Sequence, residues 1–219
     1  MNAVILACSS LIRHVNAAQK KMRTCYPIIA LDRKYHADPS QMREQIIAAA
    51  EKADPEADTI LVAMGFCGGS WNAVPLEKRV VIPRVDDCIT LLLHTDESCH
   101  PNLKQPGHFY LRDSDSGAYS LEAMQQNLCD RHGREQGLAT FHSWFAGYTD
   151  VDIIDTGEYD CYSESYMAEA QKNADLVHCR LNHVAGSNML LEKLVSGNWD
   201  QQFLVAEPGQ MFSSKDFLL

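Results

Sequence analysis

The sequence lacks the patterns typical of secreted, membrane-spanning and nucleic-acid-binding proteins. No basic segment precedes the first apolar run, MNAVILACSSLI, so this run does not resemble a secretory signal. It is also too short to cross a bilayer. Acidic residues number 29 against 19 basic ones, and the formal net charge of -10 disfavours phosphate backbones and anionic lipid. We therefore expect a cytoplasmic protein that acts on a small molecule, with neither nucleic acid nor membrane as a main partner.

Further absences concern the eight cysteines and the glycines. No cysteine pair is spaced as Cys-x-x-Cys, which excludes the compact zinc-finger and thioredoxin motifs. No segment matches the dinucleotide fingerprint or the P-loop. Intracellular thiols stay reduced, so these cysteines are expected to be metal ligands or reactive groups and not disulfides. Any metal site must then be assembled from cysteines that lie far apart in the sequence.

Short apolar runs that alternate with helical patterns predict an α/β fold. The runs 4–7, 27–31, 59–64 and 79–82 are typical of buried strands, and 108–111 is typical of an edge strand. This alternation indicates a mostly parallel sheet flanked by helices, which is a Rossmann-like arrangement. The length of 219 residues fits one domain over 1–219, and two lobes that meet near 113–120 are the alternative.

The C-terminal part is predicted to be more helical. The segment 89–93 is compatible with either a strand or a short helix, and 178–183 has a helix-like pattern. The predicted helices are 121–132, 137–147, 166–173 and 188–194, and a late strand is predicted at 203–206.

Three cysteines follow predicted strands. Cys8 and Cys67 come directly after the first and third strands, and Cys88 comes a few residues after the fourth. Ligands of parallel sheets bind at the carboxyl ends of the strands. Thiolates are good ligands for zinc, iron and iron–sulfur clusters, and three of them leave a coordination position for substrate or water. We predict a metal site formed by Cys8, Cys67 and Cys88, although cysteines are also common as small buried apolar residues.

The turn after the third predicted strand is a candidate for substrate binding. Glycines allow backbone N–H groups to approach a ligand closely, and such turns can hold anions. We predict that Gly68, Gly69 and Ser70 bind substrate. The alternative is an ordinary tight turn.

Charged residues near two strand ends are candidates for substrate binding and proton transfer. Arg84 could hold a carboxylate or phosphate, and Asp87 could accept a proton. An internal salt bridge is the alternative for this pair. His36 could be a base or a fourth metal ligand, or a loop histidine with an ordinary hydrogen bond.

Two motifs carry a resemblance to a known family. The segments LVAMGFCG and VIPRVDDCI, at 61–68 and 81–89, resemble the family called domain of unknown function 1638. Cys8, His36 before a proline, and several C-terminal segments match its pattern as well. Because this family often accompanies corrinoid-dependent methyltransferase systems of anaerobic microbes, the resemblance implies a metal- or cluster-containing protein of methyl transfer or one-carbon metabolism. A corrinoid protein is the macromolecular partner that it implies.

The sequence departs from the family pattern at two places. Asp86 stands where many members have histidine, and 112–115 reads RDSD where a Gly-Trp pair is usual. If that histidine is a ligand in relatives, Asp86 offers oxygen in its place. The changed loop at 112–117 leaves the substrate open.

Two other functions stay open beside the metal-dependent one. Cys8 and Cys67 could act as a facing thiol acid and base on a small carboxylate, without metal. Alternatively, the protein could be a non-catalytic accessory protein or metallochaperone for a corrinoid methyltransferase system.

Overall fold

The described structure, a computed structural model covering residues 2–75 and 77–217, divides into two compact units. The first unit consists of Met1–Leu103 together with Ser187–Leu219, and the second consists of Lys104–Gly186. The second unit is therefore inserted into the chain of the first. The segment 113–120, where two lobes are predicted to meet, lies within the second unit. None of the helices in the described residues is long and apolar enough to cross a membrane.

Strands alternate with α-helices in the N-terminal part of the chain, except between β3 and β4, where only the 3₁₀ helix Cys67–Gly69 intervenes. The strands are β1 (Ala3–Cys8), β2 (Ile28–Leu31), β3 (Thr59–Ala63), β4 (Arg79–Pro83), β5 (His108–Leu111), β6 (Asp150–Asp155), β7 (Arg180–Ala185) and β8 (Phe203–Ala206). The helices are α1 (Ile12–Met22), α2 (Pro39–Glu51), α3 (Cys88–Leu93), α4 (Leu121–His132), α5 (Arg134–Phe145), α6 (Glu164–Leu176), α7 (Met189–Ser196) and α8 (Ser214–Phe217).

The sheet of the first unit has the strand order β2-β1-β3-β4-β8. Strands β1 to β4 are parallel, and β8 runs antiparallel to β4. Every residue of β1 and β3 is buried, which explains their continuous apolar sequences. The predicted mostly parallel, helix-flanked α/β fold is confirmed.

The direction in which strands are added reverses beside β1. The chain places β2 on one side of β1 and β3 on the other, so β1 and β3 flank a topological switch point. The strands end nearly level, since Cys8 pairs with Leu31 and Ala7 pairs with Ala63. Ligands of open α/β sheets bind outside the carboxyl ends of the strands at such a point.

Aspartate side chains cap the helices that follow β2 and β4. Asp38 Oδ1 accepts hydrogen bonds from the backbone of Ser40 and Gln41, and Pro39 occupies the first helical position of α2. Asp87 caps α3 in the same way, so the segment 89–93 is helical. These caps fix the direction in which each chain segment leaves the carboxyl edge of the sheet.

The second unit contains a parallel sheet with the order β5-β6-β7. Its core combines one face of this sheet with apolar side chains of α4, α5 and α6. The segment 178–183, predicted to be helix-like, is instead the end of a turn followed by the first four residues of β7, and β6 was not predicted. Polar residues alternate with apolar ones in both strands: Asp152 and Asn182 form one cross-strand pair, and Val151 and Leu181 form another. Such half-polar strands lack a continuous apolar run.

Candidate functional site

Four neighbouring strands of the first sheet bring four donor side chains to one edge. Cys8 is the last residue of β1, and His36 lies in the short 3₁₀ helix Arg33–Ala37 after β2. Cys67 begins the 3₁₀ helix Cys67–Gly69 after β3, and Cys88 is the first residue of α3 after β4. The switch point, flanked by β1 and β3, therefore lies between Cys8 and Cys67.

The donor side chains form a closed ring of contacts, which we call the thiol cluster (Cys8, His36, Cys67 and Cys88). His36 Nε2 lies 3.3 Å from Cys8 Sγ, and it also hydrogen-bonds Cys67. The Cys88 thiol hydrogen-bonds both Cys8 and Cys67. Ser10 Oγ lies 3.0 Å from Cys8 Sγ and adds a fifth polar group. Each member of the cluster thus contacts two others.

The members of the thiol cluster differ in their exposure to solvent. The fractional exposures are 1% for Cys8, 4% for Cys88 and 8% for Cys67. His36, by contrast, is an exposed residue whose Nε2 points toward the thiols. His36 is therefore the most exposed member of the thiol cluster.

The contacts within the cluster shift its pKa values in opposite directions. The hydrogen bond with Cys88, together with the contacts of His36 and Ser10, lowers the pKa of Cys8 to about 4 against the effect of burial. The same neighbour lowers the pKa of Cys67 to about 7. Hydrogen bonds to Cys67 and Cys8, together with burial, raise the pKa of Cys88 well above its ordinary value. Burial lowers the pKa of His36, but hydrogen bonds to Cys67 and Cys8 outweigh it and raise the pKa to about 10. Cys88 is therefore the thiol that keeps its proton longest.

Backbone geometry holds Cys67 against Cys88. Cys67 has a left-handed conformation with φ of 49°, which is rare for a residue with a side chain. Its backbone N–H donates a 2.6 Å hydrogen bond to the Asp86 carbonyl. At Gly65, a Cβ atom would lie only 2.6 Å from the backbone of Asp87, so only glycine fits there. This close approach joins the turns after β3 and β4, and the strained conformation of Cys67 is typical of functional sites.

The glycine turn lies beside the cluster, as its sequence position implies. Gly68 and Gly69 have φ of 66° and 95°, a left-handed backbone conformation that glycine adopts more readily than other residues. Ser70 is fully buried, and its hydroxyl donates to the Phe66 carbonyl within the turn. The carbonyl of Gly69 accepts a hydrogen bond from Arg43 on α2. Substrate binding by Gly68, Gly69 and Ser70 stays a prediction.

The two charged candidates have partners within the first unit. Arg84 Nε donates to the Asp216 carbonyl at 2.8 Å, and its side chain also hydrogen-bonds Cys99. Asp87 Oδ1 accepts 2.9 Å hydrogen bonds from the backbone of Ile89 and Thr90. Their predicted roles with substrate stay predictions, and the observed contacts give both residues a structural task.

The two departures from the family pattern occupy different units. The backbone carbonyl of Asp86 accepts the hydrogen bond from the Cys67 N–H, and the Asp86 N–H donates to the Pro101 carbonyl. In the second unit, Arg112 forms a two-point ion pair with Asp115, with both N–O distances 2.9 Å. An ion pair between two of its own residues therefore links the ends of the 112–115 segment.

The thiol cluster has a donor set suited to a transition metal. Within the described residues, no three or more His, Cys, Asp or Glu side chains are spaced to hold a metal ion in their present positions. The present contacts are hydrogen bonds. In a tetrahedral zinc site, a thiolate sulfur and an imidazole nitrogen lie about 3.6 Å apart. The separation of 3.3 Å between Cys8 Sγ and His36 Nε2 is close to this value. Metal binding would need a small adjustment, together with loss of the protons held by Cys88 and by the His36 imidazole, because their pKa values are raised and both groups must be deprotonated to be ligands.

Two polar residues at the site were not predicted from the sequence. Ser10 had a usable signal, because it follows Cys8 by two residues at the same strand end. Arg43 had none, because it belongs to a helix that follows a different strand and reaches Gly69 only through the fold.

The fold and the cluster together define an α/β protein with a thiol-rich site at the switch point of a parallel sheet. The chain belongs to the family described as protein of unknown function (DUF1638), whose model matches residues 30–195. The match includes His36, Cys67 and Cys88, and it begins after Cys8. No curated protein and no solved structure shows a significant match to the chain.

Proposed function

We propose that the protein holds a transition-metal centre through Cys8, Cys67 and Cys88, with His36 as the fourth donor. The metal is zinc or iron, or the centre is an iron–sulfur cluster. The observation that supports this proposal is the closed ring of contacts among three buried thiols and one imidazole at the switch point. Three sulfur donors would hold the metal, and a substrate would take the fourth position in place of His36, the exposed member of the cluster.

A bound metal would supply Lewis-acid activation of a substrate thiol, hydroxyl or carboxylate. The chain itself supplies three buried thiols and the imidazole of His36, an exposed residue whose Nε2 lies against the thiols. Methyl transfer in one-carbon metabolism is the first reaction class to test, because of the resemblance to a family that accompanies corrinoid systems. A reducing cytoplasm is part of the proposal, since all three thiols must stay reduced.

A metal-free acid–base enzyme is the second candidate, and one observation favours it. The thiols already hydrogen-bond one another and His36, and Cys8 and Cys67 both have lowered pKa values while Cys88 has a raised one. A thiolate on one side could take a proton from the carbon next to a carboxylate, while a thiol on the other side returns one. Deuterium uptake from solvent at that carbon, tested on amino and hydroxy acids, measures this activity.

The first experiment is metal analysis of protein purified without oxygen. We expect about one metal centre per chain in the wild type. Cys67→Ser should lose the metal because it removes one of the three proposed sulfur ligands. Its matched control, Cys25→Ser, changes an exposed cysteine and should keep full occupancy.

Circular dichroism of each variant separates loss of metal from loss of folding. Substoichiometric metal in well-folded wild-type protein would refute the metal centre. Full occupancy in Cys67→Ser would remove Cys67 from the ligand set. Metal-free protein that exchanges deuterium into a carboxylate substrate would establish the second candidate.

A further inference from the structure

Arg43 extends from α2 toward the turn that carries Cys67. Helix α2 starts immediately after the 3₁₀ helix of His36, and its buried Met42 and Ile46 fix the helix on the sheet. Arg43 is half-buried, and its Nη2 donates a 3.1 Å hydrogen bond to the carbonyl of Gly69. The guanidinium is thereby fixed two residues along the chain from a member of the thiol cluster.

The positive charge of Arg43 has no carboxylate partner among residues 2–75 and 77–217. Its Nε is buried and makes no hydrogen bond within this part of the chain. Arg79 and Arg112, by contrast, form ion pairs with Glu207 and Asp115. A partly buried cation is costly without a counter-charge. This is notable in a chain with 29 acidic residues, where a carboxylate partner is easily supplied.

We propose that Arg43 binds an anionic oxygen group, a carboxylate or a phosphate, of the substrate that reacts at the thiol cluster. This inference rests on the proposed function, since it assigns a substrate class to the same site. A guanidinium has five N–H donors, and the Gly69 carbonyl accepts only one of them. Because that hydrogen bond orients the planar group and Nε is buried, the other Nη protons are the donors that would hold two oxygens of one anion.

Arg43, and not Arg84 as the sequence predicts, would then bind the anionic group of the substrate. Arg84 already donates to the Asp216 carbonyl and hydrogen-bonds Cys99. Arg43 instead joins the glycine turn, where Gly68 is exposed and Gly69 is partly exposed. The anion would therefore lie over this turn, beside the thiol cluster.

The test is titration of the full chain, loaded with its metal, with sodium acetate and with inorganic phosphate at constant ionic strength. Calorimetry measures the affinity, and nitrogen-15 NMR follows the arginine Nε–H signals, where the burial of the Arg43 Nε protects its proton from exchange. We expect the Arg43 signal to move and Arg43→Gln to weaken binding about tenfold or more. Tighter binding of acetate indicates a carboxylate substrate, and tighter binding of phosphate indicates a phosphate one.

Arg79→Gln and Arg43→Lys are the comparison variants. Arg79→Gln removes an arginine that pairs with Glu207 and should bind anions as the wild type does, whereas Arg43→Lys should retain part of the affinity. Wild-type affinity in Arg43→Gln, or no binding of either anion by the wild type, would overturn the inference. If Arg43→Gln fails to fold, Arg43→Lys is used to assign the Arg43 Nε–H signal of the wild type. Whether this signal moves during the anion titration then decides the test. Metal content measured on the same samples keeps this outcome separate from failure of the metal proposal.

Discussion

At the scale of single residues, Asp87 shows how one side chain positions another. Its carboxylate caps α3 and so sets Cys88 as the first residue of that helix. The backbone of Asp87 also packs so closely against Gly65 that a Cβ atom at position 65 would lie only 2.6 Å from it. The sequence pattern predicts that this aspartate accepts a proton. In the structure, one of its carboxylate oxygens accepts 2.9 Å hydrogen bonds from the backbone N–H groups of Ile89 and Thr90.

Removing this cap should destabilise the protein. We expect Asp87→Ala to lower the free energy of unfolding by about 1 kcal/mol, because two backbone N–H groups lose their acceptor. Asp87→Asn is the matched control, since asparagine also caps helices well. Urea unfolding measures the difference. Unchanged stability in Asp87→Ala together with lost turnover would instead assign Asp87 to the chemistry.

A second residue-scale prediction concerns pH and the second unit. Hydrogen bonds from Thr149, Arg180 and Asn182 lower the pKa of Asp150 to about 2 from an ordinary 3.8. Because the folded pKa is depressed, its stabilising effect is complete above about pH 4 and is lost as the pH falls through about 2. The stability difference between wild type and Asp150→Asn should therefore shrink between pH 5 and pH 2.5, as measured by urea unfolding. A constant difference across this range would contradict the prediction.

The residues of the site differ in how well the sequence predicts them. Cys8, Cys67 and Cys88 could be placed together, since each follows an apolar run that must be a strand. Parallel pairing then brings the three strand ends to one edge of the sheet, but the contact of Cys88 with Cys8 also depends on the turn after β4, because β3 lies between their strands. Arg43 could not be found, because its contact with Gly69 depends on the angle at which α2 crosses the sheet edge. No local pattern encodes such an angle.

At the scale of elements, the turns after β3 and β4 pack so closely that one position excludes every side chain. We expect Gly65→Ala to force these turns apart, since its Cβ would lie 2.6 Å from the Asp87 backbone. The cost should be about 1–3 kcal/mol in unfolding free energy. Metal occupancy should fall as well, because Cys67 and Cys88 would separate.

The control for this change is Gly147→Ala, where a Cβ meets nothing within 4 Å. It should leave both stability and metal occupancy close to the wild-type values. If Gly65→Ala kept full metal occupancy, close packing of the two turns would not be what positions the ligands.

The elements of the two sheets also differ in how far the sequence predicts them. Strands β1 to β4 were predicted because helices on both faces require uninterrupted apolar residues. Strands β6 and β7 were missed because Asp150, Asp152 and Asn182 interrupt them at alternate positions. The helix-like spacing of 178–183 arose by coincidence from a turn followed by such a strand.

At the scale of the whole molecule, each unit has its own core and should respond to its own defects. In Gly137→Ala, the new Cβ would lie 2.5 Å from the backbone of Cys129, between α4 and α5. We expect this clash to reduce hydrogen-exchange protection within 104–186 while metal occupancy stays unchanged. Mass spectrometry of peptides from each unit measures the protection. Equal loss in both units would show that the two unfold as one.

The insertion of 104–186 into the first unit sets an order of events during synthesis on the ribosome. All four members of the thiol cluster lie within the first 88 residues, whereas β8, which covers the outer edge of β4, comes after the entire second unit. At ordinary translation rates, β4 stays an open edge for on the order of ten seconds. An open strand edge invites pairing with other chains. A nascent chain of this protein therefore carries its complete donor set during the same interval in which it is most exposed to aggregation.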